Sequence, residues 1–478
     1  MEIEWPENDK FKEECGVVAV YGHPEAANLA YLGLYALQHR GQESAGIISS
    51  DGRQMYREVG MGLVADIFST KRIKRLPGNM ALGHNRYSTT GDSKIMNAQP
   101  CLINYVKGSL ALGHNGNLVN ASMIREALVE EGAIFQSTND SEVIVHLIAH
   151  SHADTFVERV VEALLAVNGA YSLAMMTENE IVAARDPYGF RPLCLGQLDG
   201  AYVVSSESCV MDLIEAKYIR EVEPGEVLLI NENGLSSFFP FRRMESKRCI
   251  FEHIYFARPD SFIFGEHVYA VRKRLGKALA RQAPVEADIV VPVPDSGNIS
   301  ALGYAEQAGI PYEMGLIRNH YVGRTFIEPK SQIRHFGVKV KLNAVKEIID
   351  GKRVVIIDDS IVRGTTSRKI VKMVREAGAK EVHVRISSPP TLYPCFYGID
   401  TPDREELIAS KHTLEETRRY ITADSLDYLE IDNMMKTVDD DPSSFCAACF
   451  DGNYAVPVDG KGPQPIQLNL FGSETKEV

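Results

Sequence analysis

The sequence lacks the features that mark membrane-spanning and nucleic-acid-binding proteins. No window of its 478 residues approaches the roughly 20 apolar residues that a membrane-spanning helix needs. Lys and Arg (51) are outnumbered by Asp and Glu (64), and the formal net charge is −13. This balance argues against nucleic acid as a partner, because phosphate contacts need an excess of basic side chains. An anionic ligand must therefore be held by local groups.

Cysteine is also scarce, with 8 residues in the whole chain. This is too few for the disulfide framework of a small secreted protein. The first residues, "MEIEWPENDKFKEE", have no apolar centre and resemble neither a secretory signal nor an Arg-rich transit peptide. We therefore expect a cytoplasmic protein, whose cysteines are core thiols, metal ligands or nucleophiles.

The length and the residue pattern predict two domains. Up to about residue 240, short strands dominate, with helices predicted in "NASMIREALVEEG" and "DSEVIVHLIAHS". After a charged and aromatic connector at about 241–262, strands alternate with helices, which is typical of a parallel sheet covered by helices. We place the domains at 15–245 and 246–455, with a leader at 1–14 and a tail at 456–478.

The run "VVIIDDSIVRGTT" predicts a phosphate-binding loop. Residues 354–357 form a buried strand, and Asp358 and Asp359 follow at its carboxyl end, where ligands collect in open α/β sheets. The loop then enters a helix, whose first N–H groups suit a phosphate. Paired carboxylates repel phosphate unless they bind sugar hydroxyls or Mg²⁺. A sugar phosphate with a metal ion explains both features.

This run resembles the phosphoribosyl pyrophosphate motif of the type I phosphoribosyltransferases, and the resemblance implies an α/β domain with a parallel sheet. It implies one Mg²⁺ per subunit near Ser296 in "VPVPDSGN" and the two aspartates. We expect the basic segment 318–343 to be a lid over the anion. The ligand-binding residues would be Asp358, Asp359, Ser360, Arg363, Gly364, Thr365 and Thr366, with Arg324 and Lys330 from the lid.

Cys15, at the start of the first apolar strand, is a candidate nucleophile. A thiolate nucleophile needs a base and an oxyanion hole, and no histidine adjoins Cys15. If residues 1–14 were removed, the new α-amino group, with a pKa of about 7.7–8.0, would suit this task at neutral pH. With the leader attached, the same nitrogen is an amide and cannot accept a proton.

Four motifs after Cys15 resemble, in this order, those of the N-terminal-nucleophile glutamine amidotransferases: "ALQHRGQESAG", "GHNRYSTTG", "GHNGNL" and "STNDSE". The resemblance implies an α+β hydrolase domain with four αββα layers. It also implies that "HRGQES" forms a loop around Arg40 and Gly41 that covers the site, with Arg40 among the glutamine-binding residues.

The same resemblance assigns the other site residues. Cys15 would attack the side-chain amide of glutamine, while Asn115 and the Gly116 N–H would hold the oxyanion. Arg86 would bind the α-carboxylate of the substrate, and Asp140 its α-ammonium group.

Together the two halves resemble the glutamine phosphoribosylpyrophosphate amidotransferases over residues 15–455. The resemblance implies that ammonia released at Cys15 passes internally to the second site, where it displaces pyrophosphate to give 5-phosphoribosylamine. This is the first committed step of purine synthesis. Glutamine and phosphoribosyl pyrophosphate would be the substrates, and the resemblance further implies a homotetramer with purine-nucleotide feedback inhibitors.

Four other cysteines form a candidate metal site. Cys446 and Cys449 have the C-x-x-C spacing, and Cys249 and Cys395 would complete four ligands. Four thiolates bind zinc or an iron–sulfur cluster, and the identity of the ligands alone does not distinguish between the two. A subset of the amidotransferase family carries a [4Fe-4S] cluster in these four contexts together with a short cleaved leader. The resemblance therefore implies one such cluster per subunit and a cut directly before Cys15. The other cysteines, at positions 101, 194 and 209, are expected in the core.

Three other functions stay open at this point. An aminating synthase for another sugar phosphate would share the first half, but "VVIIDDSIVRGTT" argues against it. A regulator that only senses phosphoribosyl pyrophosphate has no need of the residues assigned to glutamine. A glutaminase-like scaffold would keep its leader attached.

Overall fold

The computed structural model describes residues 15–87, 94–319 and 342–458, which divide into two units. The N-terminal unit contains residues 15–248, 396–399 and 453–458, and the C-terminal unit contains the rest. The leader at 1–14 and the lid residues Arg324 and Lys330 lie outside the described residues. In the described ranges, no helix is long and apolar enough to cross a membrane.

The N-terminal unit is built on two antiparallel sheets. The strands are β1 Gly16–Tyr21, β2 Ser44–Ser50, β3 Met55–Met61, β4 Met80–Arg86, β5 Cys101–Tyr105, β6 Gly108–Leu118, β7 Gly169–Met176, β8 Ile181–Arg185, β9 Cys194–Leu198, β10 Ala201–Ser205, β11 Lys217–Glu221, β12 Val227–Asn231 and β13 Gly234–Phe238. The first sheet has the order β11-β9-β10-β1-β4-β2-β3 and the second β13-β12-β8-β7-β6-β5.

Helices cover the outer face of each sheet. They are α1 Ala26–Ala36, α2 Val64–Ile67, α3 Thr70–Ile73, α4 Ala121–Glu130, α5 Glu142–His150, α6 Phe156–Ala166 and α7 Cys209–Leu213. One apolar core joins α1, α2 and α7 to the first sheet, a second lies between the sheets, and a third joins α4, α5 and α6 to the second sheet. The unit therefore has the αββα layers that the sequence predicts.

Strand β1 shows how the sequence produces this arrangement. Val18 and Val20 lie in the core beneath α1, whereas Val17 and Ala19 lie in the core between the sheets. Alternation of this kind follows from the two-residue period of a strand. Because both faces are covered, β1 is apolar throughout. The same alternation directs Cys15, one residue before the strand, toward the space between the sheets.

The C-terminal unit contains the parallel sheet expected from the sequence, with the strand order Ile289–Pro292, Arg353–Asp358, Glu381–Ile386 and Ser425–Tyr428. Apolar side chains of the helix Thr365–Glu376 pack on this sheet. From the unit boundary onward, the strands are β14 Arg248–Cys249, β15 Phe262–Ile263, β16 Glu266–His267, β17 Ile289–Pro292, β18 Leu316–Arg318, β19 Leu342–Ala344, β20 Arg353–Asp358, β21 Glu381–Ile386, β22 Ser425–Tyr428 and β23 Phe445–Cys446. The α-helices are α8 Val268–Gln282, α9 Asn298–Ala308, α10 Lys346–Ile349, α11 Thr365–Glu376, α12 Ile408–Lys411, α13 Leu414–Ile421, α14 Ile431–Met435 and α15 Ala448–Asp451.

Candidate active sites

The candidate nucleophile, Cys15, is buried at the start of β1, and its thiol lies 3.5 Å from the carbonyl oxygen of Tyr87. Strands β1 and β4 are antiparallel neighbours with Gly16 opposite Asn85. The beginning of β1 therefore lies beside the end of β4, which carries Arg86. The structure thus brings together two of the residues that the sequence assigns to glutamine chemistry.

Arg40 is buried, and its guanidinium group forms hydrogen bonds with other groups of the protein. Its Nε donates a hydrogen bond to the carbonyl oxygen of Cys15 at 3.1 Å, and its Nη1 lies 2.6 Å from the carboxylate of Glu207. Glu207 is fully buried and also lies 2.7 Å from the Nε2 of His39. Arg40 is therefore bonded to the main chain of the candidate nucleophile, Cys15. The sequence analysis missed Glu207, since nothing in "SSES" marks its pairing across the fold.

Asn115 and Gly116 lie on β6, where Asn115 faces Ser172 of β7. Asn115 is buried, and its Nδ2 has no hydrogen-bond partner among the described residues. Gly116 has φ of 145°, and a Cβ there would lie 2.0 Å from the carbonyl oxygen of Ala170, so no side chain fits. A buried donor without a partner costs about 1–3 kcal/mol. Such a donor is well suited to form a hydrogen bond with an oxyanion.

The residues assigned to the α-groups of glutamine meet at the loop before α5. Arg86 donates from Nη1 to Glu43 at 2.8 Å and from Nη2 to the Asn139 Oδ1 at 3.3 Å. Asp140, the next residue, accepts the N–H of Leu118 at 2.9 Å. Burial raises the pKa of Asp140, but the nearby His114 and the donated hydrogen bonds outweigh this effect and lower the pKa. Asp140 is therefore a carboxylate, able to bind an ammonium group.

Two further residues, which the sequence analysis missed, fasten this loop. Glu142 accepts hydrogen bonds from the N–H of Gln136 at 2.7 Å, the N–H of Ser137 at 2.8 Å and the Ser137 hydroxyl at 2.6 Å. Arg125 donates to the carbonyl oxygen of Ser137 at 3.0 Å and to that of Asn139 at 2.6 Å. Glu142 is the last residue of the "STNDSE" motif, and its place in that motif could have marked it as a functional residue.

The second site lies at the carboxyl ends of two adjacent parallel strands. Asp358 ends β20 and Asp359 follows it, and both are buried. Ser296 lies in the turn after β17, the neighbour of β20. The Ser296 hydroxyl and the Asp359 Oδ1 are buried without a hydrogen-bond partner in the described part of the chain. Both oxygens are of a type that Mg²⁺ binds.

The loop after Asp359 leads into α11 as the sequence predicts. The Ser360 hydroxyl donates to Asp359 Oδ2 at 2.5 Å. Gly364 caps the helix, and Thr365 and Thr366 are its first two residues. Arg363 forms an ion pair with the carboxylate of Glu406. The helix start presents N–H groups and hydroxyls of the kind that bind a phosphate.

The four candidate metal-binding cysteines lie near one another. Cys249 and Cys446 lie on the paired strands β14 and β23, and the carbonyl oxygen of Cys449 accepts the N–H groups of residues 392 and 393, close to Cys395. Burial, followed by the charges of the other three cysteines, raises the pKa of Cys449 well above its usual value. None of the four is joined to another described cysteine by a disulfide bond. Within the described ranges, no three His, Cys, Asp or Glu side chains are already arranged to hold a metal ion.

Comparison with known proteins identifies the family. The family described as "Glutamine amidotransferase domain" matches residues 84–212, and "Phosphoribosyl transferase domain" matches residues 266–387. The amidophosphoribosyltransferase of Bacillus subtilis (strain 168) is 50% identical, over 93% of this chain and 95% of that protein. This chain belongs to the amidophosphoribosyltransferase family. A chloroplastic relative, amidophosphoribosyltransferase 1 of Arabidopsis thaliana, is 52% identical over 94% of this chain and 80% of its own length.

Solved structures agree with this assignment. The glutamine phosphoribosylpyrophosphate amidotransferase from B. subtilis, complexed with ADP and GMP, matches with a TM-score of 0.89 and 49% identity, covering 94% of this chain and 99% of that one. A structure described as the allosteric regulatory enzyme of purine biosynthesis matches with a TM-score of 0.90. The chain is thus a glutamine-dependent amidophosphoribosyltransferase, the enzyme of the first step of purine biosynthesis.

Proposed function

We propose that Cys15 is the nucleophile of the glutaminase half-reaction. Its thiolate attacks the side-chain amide carbon of glutamine, and the resulting oxyanion receives hydrogen bonds from Asn115 Nδ2 and the Gly116 N–H. Collapse of this intermediate expels ammonia and leaves a γ-glutamyl thioester, which water hydrolyses to glutamate. The observation that carries the proposal is the buried, unpartnered Nδ2 of Asn115.

The substrate is positioned by two charged side chains of opposite sign. Arg86 binds the α-carboxylate and the ionised Asp140 binds the α-ammonium group, so that free glutamine is distinguished from a glutamine within a peptide. Arg40, bonded to the Cys15 carbonyl and paired with Glu207, keeps the nucleophile at the end of β1. Placement of this kind accounts for much of the rate gain in enzymes that hold reactants in position.

The proton of the Cys15 thiol needs an acceptor, and we propose the α-amino group of Cys15 itself. This requires cleavage between Glu14 and Cys15, with residues 1–14 as a propeptide. A free α-amino group has a pKa of about 7.7–8.0, close to the working pH, whereas an amide nitrogen is not a base.

For the second half-reaction, we propose that phosphoribosyl pyrophosphate binds at the ends of β17 and β20. The 5′-phosphate would lie at Gly364, Thr365 and Thr366. Ser296, Asp358 and Asp359 would hold one Mg²⁺ per subunit, and their fit rests on the unpartnered oxygens of Ser296 and Asp359. When bound, the metal neutralises charge on the departing pyrophosphate. Ammonia from the first site would attack C1 from the opposite face.

We propose that Cys249, Cys395, Cys446 and Cys449 hold one [4Fe-4S] cluster per subunit, with a structural role. The support is the proximity of the four thiols around Cys449. Zinc is the alternative metal that four thiolates could bind. A brown protein containing iron and acid-labile sulfide supports the cluster, and a colourless protein containing zinc would reject it.

The remaining proposals concern organisation, partners and location. We propose the domain bounds 15–245 and 246–455, a homotetramer, and inhibition by purine nucleotides; the solved B. subtilis relative carries ADP and GMP. We also propose that the enzyme is cytoplasmic, because its acidic leader does not resemble a transit peptide. Several plant relatives are named chloroplastic.

The decisive experiment combines intact mass and N-terminal sequencing with activity measurements. We expect a mature chain that starts at Cys15, and a Cys15→Ala variant that loses synthesis from glutamine but keeps synthesis from ammonia. Full activity from glutamine in a chain whose leader is intact would refute the proposed base. Retention of glutamine-dependent synthesis by Cys15→Ala would refute the nucleophile.

A further inference from the structure

Residues 396–399 come from the second half of the chain but belong to the N-terminal unit. Tyr397 anchors this segment. Its ring is buried and stacks on Phe190 with a centroid distance of 4.3 Å, and its hydroxyl donates to the carbonyl oxygen of Val456 at 2.7 Å. A segment packed in this way has a defined position within the unit.

The segment touches the main chain of the oxyanion strand β6. A Cβ on Gly398 would lie 3.0 Å from both the Cα and the carbonyl carbon of Gly116, and Gly398 has φ of +109°. The backbones of the two glycines are therefore in direct contact. In addition, the Nδ2 of Asn117 donates to the carbonyl oxygen of Phe396 at 3.0 Å.

Arg191 connects this segment to the other side of the same site. It is fully buried, and its Nε and Nη2 both donate to the carbonyl oxygen of Tyr397, at 2.9 and 2.7 Å. Its own carbonyl oxygen accepts the hydroxyl of Ser172 at 3.2 Å, and Ser172 is the cross-strand partner of Asn115. One buried arginine thus links the neighbours of both proposed oxyanion donors.

We propose that Arg191 and the segment 396–399 are positioning elements of the oxyanion hole. They hold the main chain of Gly116 from one side and the strand opposite Asn115 from the other. The inference rests on the oxyanion role proposed above for these two residues. Oxyanion donors act through their fixed placement, and loss of one donor lowers kcat by roughly 10²–10³. A displaced hole weakens binding of the transition state more than binding of glutamine, so kcat falls while KM changes little.

The first test substitutes the glycine that contacts β6. We expect Gly398→Ala to lower the glutaminase kcat by about tenfold to a hundredfold, with the KM for glutamine within about twofold of wild type and ammonia-dependent synthesis unchanged. The matched control is Gly234→Ala in the same unit. Gly234 has φ of +98° and open space around its Cβ position, so this change brings a similar backbone strain without the contact.

A second pair of variants tests the arginine. Arg191→Lys keeps the charge but not the two parallel donors, and Arg191→Met removes both. We expect kcat to decrease from wild type through Lys to Met, with the KM for glutamine retained. If Arg191→Met does not fold, Arg191→Lys and Gly398→Ala still decide the question.

The outcomes separate this inference from the proposal on which it depends. Wild-type kcat in Gly398→Ala and Arg191→Lys, a rise in KM alone, or an equal loss of ammonia-dependent synthesis would overturn the positioning role. An Asn115→Ala variant with full glutaminase activity would instead refute the oxyanion assignment itself. An inactive Asn115→Ala beside fully active Gly398→Ala and Arg191→Lys would reject only the inference made here.

Discussion

Replacing Glu142 with Gln should loosen the loop that carries Asn139 and Asp140. The carboxylate is buried and accepts two backbone N–H groups and one hydroxyl from residues 136 and 137. A glutamine side chain offers one acceptor oxygen instead of two. Its NH₂ group would face at least one of these donors, which would then lose its partner.

The size of the effect follows from the pKa of Glu142. Burial alone raises it, but neighbouring His146 and the hydrogen bonds from Gln136 and Ser137 outweigh burial and lower it from 4.5 to about 2. At about 1.4 kcal/mol per pKa unit, the folded structure favours the carboxylate by about 3 kcal/mol. Because the pKa is lowered on folding, this stabilisation is complete above about pH 4.5 and is lost as the pH falls toward 2.

Hydrogen exchange of the peptide that covers residues 133–141 measures this directly, since the two amides are bonded to Glu142. Loss of about 3 kcal/mol corresponds to roughly hundredfold faster exchange at pH 7. After correction for intrinsic rates, wild-type protection should fall as the pH decreases from about 4.5 toward 2, and protection in Glu142→Gln should not. The KM for glutamine should rise several-fold, because Asp140 follows the loosened segment.

Glu158 provides the matched control. Its carboxylate accepts hydrogen bonds from the N–H and the hydroxyl of Thr155 in an exposed capping box. The same Glu-to-Gln change is therefore made at a carboxylate that is exposed and does not contact the loop before Asp140. We expect Glu158→Gln to leave exchange at 133–141 and the KM unchanged. Exchange in Glu142→Gln within about twofold of wild type would show that the carboxylate does not hold the loop.

Three further results are expected. Arg125→Met should raise the KM for glutamine with little change in kcat, and Arg125→Lys should raise it less. Steady-state kinetics measure both constants, and a fall in kcat alone would contradict the expectation. Glu207→Gln leaves the buried Arg40 without its counter-charge and should lower the free energy of unfolding by about 3–5 kcal/mol in urea denaturation, whereas wild-type stability would disprove the pairing. Asp359→Asn should abolish synthesis from both glutamine and ammonia but leave the basal glutaminase activity, and retained ammonia-dependent synthesis would reject its role.

Local patterns predicted much of the secondary structure. The apolar runs of β1 and β20, the helical pattern of α4 and α5, and the loop that enters α11 are properties of short segments, and the structure confirms them. The "VVIIDDSIVRGTT" loop is recognisable for the same reason, because a strand end, two acids and a helix start are consecutive in the chain.

Three elements were missed, two of them because they carry no clear local signal. Helix α1 is rich in Ala and Leu, and the buried residues Ala26, Ala30 and Leu34 form part of its covered face, so no contrasting polar stripe marks it. Helix α6 was missed despite the Thr155–Glu158 capping box at its start. The polar stretch after residue 400 contains β22, the fourth strand of the parallel sheet, whose place there depends on pairing with β21.

The sequence by itself determined the two domain types, the order of the glutamine motifs and the choice of candidate reacting residues, because each depends on neighbouring residues in the chain. Only the tertiary structure decided how those residues are supported. The buried Arg40–Glu207 pair and the contact between Gly398 and Gly116 join positions that are far apart in sequence. Such contacts leave no periodic signal, since their partners are chosen by the packing of the sheets.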